Sequence, residues 1–128
     1  MERSRISSGG PWERVAGYSR AIVVGDTCLV SGTTDAGPDG TSQHPGDIAG
    51  QAREVFAIIE RALAEGGFGL EDVVRTRMFV MDIADSAALS AIHGEIFGEI
   101  RPASTLVAVA GMVHPSLLVE IEAEARRG

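Results

Sequence analysis

The spacing of apolar residues predicts two helices in this chain. Over residues 48–63 the apolar positions recur every three or four residues, which is the period of an amphipathic helix. Asp47 precedes this segment as an N-cap and Gly66-Gly67 follows as a stop, so we predict a helix of about 19 residues. The same spacing over residues 85–97 predicts a second helix.

Apolar runs and alternating positions predict strands elsewhere. The predicted strands cover residues 15–24, 28–31, 73–81, 103–109 and 117–125. Gly25-Asp26 separates the first two as the turn of a hairpin. In the last segment apolar residues alternate with Glu120, Glu122 and Glu124, which fits a strand better than a helix.

The predicted order β-β-α-β-α-β-β indicates an α+β fold, a mixed sheet with two helices packed on one face. We expect a single domain over residues 1–128, with residues 1–12 as an irregular lead-in and residues 33–46 as a long loop. The second face of such a sheet still carries apolar side chains. We therefore expect it to be covered by other copies of the chain.

Charge and composition disfavour several classes of function. The net charge of −7 disfavours nucleic acid as a partner, because phosphate backbones are repelled. The N-terminus has no apolar segment typical of a signal peptide, and no apolar run approaches the roughly 20 residues that span a membrane. The single cysteine, Cys28, lies in an apolar run and is interpreted as a core residue. We expect a cytoplasmic protein without membrane contact.

Few residues suggest chemistry by themselves. The chain has no P-loop, no paired CxxC, no HExxH and no GxSxG. The histidines His44, His93 and His114 lack the spacing of metal ligands, so we predict no metal site. The three glutamates of the last strand share one face, where like charges raise one another's pKa. This set is either a solvated strand face, or one of the three lines a cleft and acts as an acid or base.

Five short motifs occur together in a characteristic order. They are Gly17-Tyr18-Ser19-Arg20-Ala21, Leu29-Val30-Ser31-Gly32, Phe79-Val80-Met81-Asp82, Arg101-Pro102-Ala103 and Val119-Glu120-Ile121-Glu122-Ala123. In this order the chain resembles the RidA family (YjgF/Rid, also called L-PSP endoribonuclease) over about residues 15–126.

The resemblance implies a chorismate-mutase-like fold and a homotrimer with a ligand cleft at each subunit interface. Enzymatic members of the family hydrolyse reactive enamines and imines to keto acids and ammonia without a metal or cofactor. By resemblance, Glu120 is the catalytic residue that handles proton transfer. Tyr18, Ser31 and Gly32 match the residues that shape the pocket.

The chain departs from the family pattern where the substrate carboxylate is bound. The enzymatic pattern Pro-Ala-Arg-Ser/Thr is replaced by Pro-Ala-Ser-Thr, so Ser104 occupies the position of the arginine. Ser90 occupies the position of a helix asparagine. Arg20 shares a strand face with Tyr18 and is one candidate replacement, and Arg101 is another. Ser104 has no charge, so a simple 2-imino acid would bind less well.

Three functions remain open on the sequence alone. The first is hydrolysis of enamine or imine intermediates to ketones or keto acids and ammonia. The second is non-catalytic binding or sensing of a small ligand, such as a carboxylate or imine, by a trimer. The third is ribonuclease or translation-inhibitor activity, which the acidic charge disfavours.

Overall fold

A six-stranded mixed sheet carries two long helices on one face. The computed structural model describes residues 2–128. Its elements are β1 (Arg3–Ile6), α1 (Glu13–Ala16), β2 (Ala21–Val24), β3 (Thr27–Thr33), α2 (Ile48–Glu65), β4 (Val73–Val80), α3 (Ser86–Phe97), β5 (Ala103–Ala108) and β6 (Val119–Arg126), with short 3-10 turns at Leu70–Asp72 and Ile83–Asp85. The sheet order is β1-β2-β3-β6-β4-β5. The predicted fold class is confirmed.

Helix α2 forms where its apolar period predicts it. The Asp47 carboxylate accepts a hydrogen bond from the Gly50 amide at 3.0 Å and caps the first turn. At the other end the chain leaves the helix through Gly67, whose φ of 86° favours glycine. The apolar face of α2 is buried against the sheet, with Val55 and Leu63 fully enclosed.

The two C-terminal strands are consecutive in sequence but not adjacent in the sheet. The chain crosses from β4 through α3 to β5, which pairs parallel to β4 at the sheet edge. Strand β6 then lies antiparallel between β3 and β4. In β6 the apolar residues face the helices, and Glu120, Glu122 and Glu124 face the other way. The predicted alternation of this strand is confirmed.

The N-terminal region differs from the prediction in two places. Within the expected irregular lead-in, Arg3–Ile6 forms β1 and pairs antiparallel with β2. The strand predicted over residues 15–24 begins only at Ala21, and Glu13–Ala16 forms the short helix α1 instead. Local hydrogen bonds override strand propensity here: the Glu13 carboxylate accepts from the Ser8 hydroxyl at 2.7 Å. Val15 consequently points into solvent.

Two buried polar side chains hold the long loop between β3 and α2. One carboxylate oxygen of Asp35 accepts hydrogen bonds from the Ser42 hydroxyl and from the backbone amides of Gln43 and His44. Gln51 on α2 donates to the backbone carbonyls of His44 and Ser116. The loop is therefore pinned to α2 and to the segment before β6. It forms a fixed wall beside the sheet.

The sheet face opposite the helices has no cover from within residues 2–128. It combines charged side chains with exposed apolar ones, such as Leu29 and Val107. Arg77 lies 3.5 Å from Glu122 and 3.3 Å from Glu124 across β4 and β6. Within the described residues, no helix combines the length and hydropathy that crossing a membrane would need.

Candidate active site

A cavity of about 760 Å³ opens at one end of the sheet. Its walls come from the N-terminal segment 6–12, the loop 34–43 and one face of α2. Four of the residues singled out by sequence also line it: Tyr18, Arg20, Gly32 and Glu120. The volume lies within the range of about 300–1,000 Å³ that is usual for small-molecule sites.

Glu120 is the group in this cavity best suited to proton transfer. It lies near the start of β6, and its side chain is partly buried. Burial raises the pKa of Glu120 above its ordinary value, and the charge of Glu122 adds to this, while Arg20 opposes it. A carboxyl with a raised pKa exchanges its proton closer to neutral pH, as a general acid or base must.

Gly32 makes room for the carboxylate of Glu120. A Cβ atom built on Gly32 would lie 3.1 Å from the Glu120 carboxyl carbon and would overlap the oxygen Oε2. The register between β3 and β6 shifts between Val30 and Thr33, so the backbone of β3 bulges beside this carboxylate. Glycine at position 32 is thus required by close approach.

Ser31 stabilises the backbone beside the cavity through two hydrogen bonds. Its hydroxyl donates a hydrogen bond to the Ser19 carbonyl at 2.7 Å. Its amide donates to the Arg20 carbonyl at 2.9 Å. These two contacts attach β3 to the segment that carries Tyr18 and Arg20. Ser31 itself is not among the residues that line the cavity.

Arg20 is buried, and its hydrogen bonds brace the backbone of the site. Its Nη1 donates to the Gly32 carbonyl at 2.6 Å and to the Thr33 hydroxyl at 2.9 Å. Its Nε donates to the Ser8 hydroxyl at 3.3 Å and lies 3.9 Å from the Glu13 carboxylate. Two of its three guanidinium nitrogens are therefore occupied by the protein, which leaves little of this side chain for a ligand.

Glu13 completes this buried network. Burial by itself would raise the pKa of Glu13, but hydrogen bonds from Ser8, Gly10 and Ser7 outweigh burial and hold the pKa below its ordinary value. Its Oε2 accepts from the amides of Ser8 and Gly10 at 3.3 and 3.0 Å. The N-terminal wall of the cavity is fixed in this way.

Tyr18 stands at the rim of the cavity. Its side chain is 37% exposed, and its ring centroid lies 5.6 Å from the guanidinium carbon of Arg20. This distance is within the range of a cation–π contact, which orients the ring. Tyr18 and Arg20 lie close together, as predicted. Both precede the regular strand, which begins at Ala21.

Ser90, Arg101 and Ser104 do not line this cavity. Ser90 is exposed on α3, and Arg101 is exposed just after α3 with a φ of 55°. Ser104 is exposed on the edge strand β5, where it accepts a hydrogen bond at 2.8 Å from the hydroxyl of Thr76. That hydroxyl also lies 2.9 Å from Nε2 of His93, whose pKa is lowered by burial.

Several residues that line the cavity were not singled out by the sequence motifs. Trp12 lies in the segment expected to be irregular, and Ile58 and Arg61 lie on α2. Arg61 follows Ile58 by one helical turn, so helical spacing indicates that the two share a face. The fold of the N-terminal segment has no comparable signal, because it depends on hydrogen bonds that form only in the folded chain.

Comparison with known proteins identifies the fold and then the family. A crystal structure of Rv2704 from Mycobacterium tuberculosis, described as a member of the YjgF/YER057c/UK114 family, matches with a TM-score of 0.89 and 42% identity, covering 98% of this chain and all of that one. The topology is thus the YjgF or chorismate-mutase-like fold. The family model described as endoribonuclease L-PSP matches residues 11–127. The chain belongs to this family, also known as the RidA or YjgF family.

Two curated relatives are similar over nearly the whole chain. The uncharacterized protein SCO2049 of Streptomyces coelicolor is 39% identical over 97% of this chain and 92% of its own length. The 3-aminoacrylate deaminase RutC of Acinetobacter baylyi is 35% identical over 94% of this chain and 95% of its own length.

Proposed function

We propose that this protein hydrolyses reactive enamine or imine intermediates to ketones or keto acids and ammonia, in the cytoplasm. The position of Glu120 carries the proposal: its carboxyl, with a raised pKa, lies against Gly32 in a cavity that Tyr18 and Arg20 also line. Similarity to a relative named 3-aminoacrylate deaminase supports the same reaction class.

Hydrolysis of an imine needs two proton movements that one carboxyl group can perform. Water must lose a proton as it adds to the imine carbon, and the nitrogen must gain protons before ammonia leaves. As water adds to the imine carbon, the Glu120 carboxylate takes a proton from it and passes this proton to the nitrogen, which gives a carbinolamine. Glu120 then takes the hydroxyl proton of the carbinolamine and passes it to the nitrogen, so that the carbonyl forms as the carbon–nitrogen bond breaks and ammonia leaves. Its partial burial favours the protonated state, and the adjacent Arg20 favours the ionised one.

We propose that the protein acts as a homotrimer with ligand clefts between subunits. The uncovered sheet face supports this, because it exposes Leu29 and Val107 at 44% and 42%. Ser90, Arg101 and Ser104 lie outside the cavity of their own chain. In a trimer they would contribute to the cleft of a neighbour. Analytical ultracentrifugation showing only monomer would contradict this assembly.

Non-catalytic ligand binding is the second candidate, and one observation favours it. Ser104 stands where enzymatic members have the arginine that binds the substrate carboxylate. Its hydroxyl is engaged with Thr76 and has no charge. A trimer that senses a small carboxylate or imine without turnover would be compatible with this replacement.

Ammonia release separates the two candidates. An amino-acid oxidase would generate 2-imino acids from a panel of amino acids, and ammonia would be measured with and without this protein. Hydrolysis faster than the uncatalysed reaction supports the enzyme. Ligand binding in calorimetry without turnover of any imine supports the sensor. RNA cleavage that persists through repurification would instead favour the ribonuclease, against the net charge of −7.

A further inference from the structure

We propose that the cavity binds a ligand with an apolar body and a single anionic group, the anionic group contacting Arg61. The proposal rests on the proposed function and deepens it. The substrate class becomes an imine or enamine whose reacting carbon lies at Glu120 and whose anionic group is separated from that carbon by an apolar chain. Both residues line the same cavity within one chain.

Arg61 is the cation of this cavity that is available to a ligand. The cavity has two arginines in its lining, Arg20 and Arg61. Arg20 is buried and engaged by backbone and hydroxyl groups. Arg61 is 69% exposed, and its Nη2 lies 3.7 Å from Oε2 of Glu54, beyond hydrogen-bonding distance. An exposed pair of this kind contributes little, so a ligand carboxylate can compete for the guanidinium.

The walls between Arg61 and the rest of the cavity suit an apolar body. Ile58 lies one turn before Arg61 on α2, and Trp12 and Pro38 face the same space. Gly40 packs beside the indole, because a Cβ built there would lie 3.1 Å from the Trp12 ring. Trp12 is therefore held in place by the loop and offers a fixed aromatic surface.

The remaining charges of the cavity favour one negative group over two. Glu54, Glu65 and Glu120 line the same space. Glu54 is shared between Arg61 and His44, which lies 3.7 Å from its other oxygen. A dianion would meet these carboxylates after its first charge had used Arg61. The site is thus matched to a monoanion. Arg61 supplies the positive charge that the uncharged Ser104 cannot supply.

Trp12 makes a direct binding experiment possible, because it is the single tryptophan of the chain. The full-length protein is titrated with 3-phenylpropionate, 3-phenylpropionamide and 3-phenylpropylamine, and the Trp12 fluorescence is followed. These probes share one apolar body and differ in charge. We expect the carboxylate to bind about tenfold more tightly than the amide, and the amine to bind most weakly.

Two substitutions in α2 test whether Arg61 causes the preference for the carboxylate over the amide. Arg61→Gln is expected to remove the difference between the carboxylate and the amide while both still quench Trp12. Arg53→Gln is the matched control, because Arg53 lies on the same helix, pairs with Glu95 at 2.9 Å and does not line the cavity. It is expected to keep the wild-type preference. Circular dichroism checks that both variants are folded.

Several results would overturn the proposal. Equal affinity for carboxylate and amide, tightest binding of the amine, absence of quenching by every probe, or an unchanged preference in Arg61→Gln each contradict it. Failure of this proposal can be distinguished by experiment from failure of the proposed function. Imine hydrolysis without a carboxylate preference overturns this inference alone. A preference that depends on Arg61 in a protein without imine hydrolysis supports the ligand site and contradicts the reaction.

Discussion

Replacing Gly32 by alanine perturbs the site through a single methyl group. The new Cβ would overlap Oε2 of Glu120 and lie 3.1 Å from its carboxyl carbon. The carboxylate must therefore move by about 1 Å or more to restore an ordinary contact. The backbone at position 32 is not in the left-handed region, so alanine itself causes no strain there.

The expected effect is large on turnover and small on stability. A displacement of about 1 Å at a reacting group lowers the rate by roughly 100-fold, which corresponds to about 2.7 kcal/mol of transition-state stabilisation. Alanine restricts the unfolded chain and stabilises the fold by about 0.4–1 kcal/mol. Forcing Glu120 from its rotamer costs about 0.5–1.5 kcal/mol. The net change in unfolding free energy is thus within about 1 kcal/mol.

The assay compares kcat/KM for imine hydrolysis with the urea midpoint of Gly32→Ala. Gly111→Ala is the control, because nothing lies within 4 Å of a Cβ at that position. We expect wild-type turnover in the control and loss only in Gly32→Ala. Wild-type kcat/KM in a folded Gly32→Ala protein would refute the argument that this contact positions Glu120.

Three further predictions concern Arg20, Asp47 and Glu120. Arg20→Met leaves the buried Glu13 carboxylate without its cation and should lower the unfolding free energy by about 2–4 kcal/mol in urea denaturation. Asp47→Ala removes the cap of α2 and should cost about 1 kcal/mol by the same measurement. The pKa of Glu120 is raised in the folded state, so its contribution to stability is present below the unfolded value of 4.5 and is lost as the pH rises through the folded value. Glu120→Gln should therefore gain stability relative to wild type as the pH rises above about 4.5, and a constant difference would contradict this.

Long elements with a periodic apolar pattern could be predicted from the sequence, because burial of one apolar face is the main interaction that forms each of them. Helix α2 repeats its apolar face over several turns and has a cap at Asp47, and β6 alternates strictly. The N-terminal region could not be predicted this way. The helix α1 depends on Glu13 being enclosed by Ser8 and Gly10, a contact that no local pattern reveals.

The candidate site likewise has residues that could be predicted from the sequence and contacts that could not. Tyr18, Gly32 and Glu120 could be singled out from motifs, and the structure places them around one cavity. Periodicity also placed Arg20 beside Tyr18, but it could not show that the guanidinium is engaged by the Gly32 carbonyl and Thr33. The order of strands in the sheet likewise depends on long-range pairing. For that reason Ser104 lies on the edge strand, away from Glu120.

The most direct test of the account is the rate of imine hydrolysis by wild type beside Glu120→Gln and Glu124→Gln. Glu124 is the matched control, because it lies on the same face of β6 and pairs with Arg77 at 3.3 Å, outside the cavity. We predict turnover by wild type and by Glu124→Gln, and a loss of at least about 100-fold in Glu120→Gln. Equal rates in all three proteins, or no turnover of any imine by wild type, would contradict the claim that Glu120 performs the proton transfers.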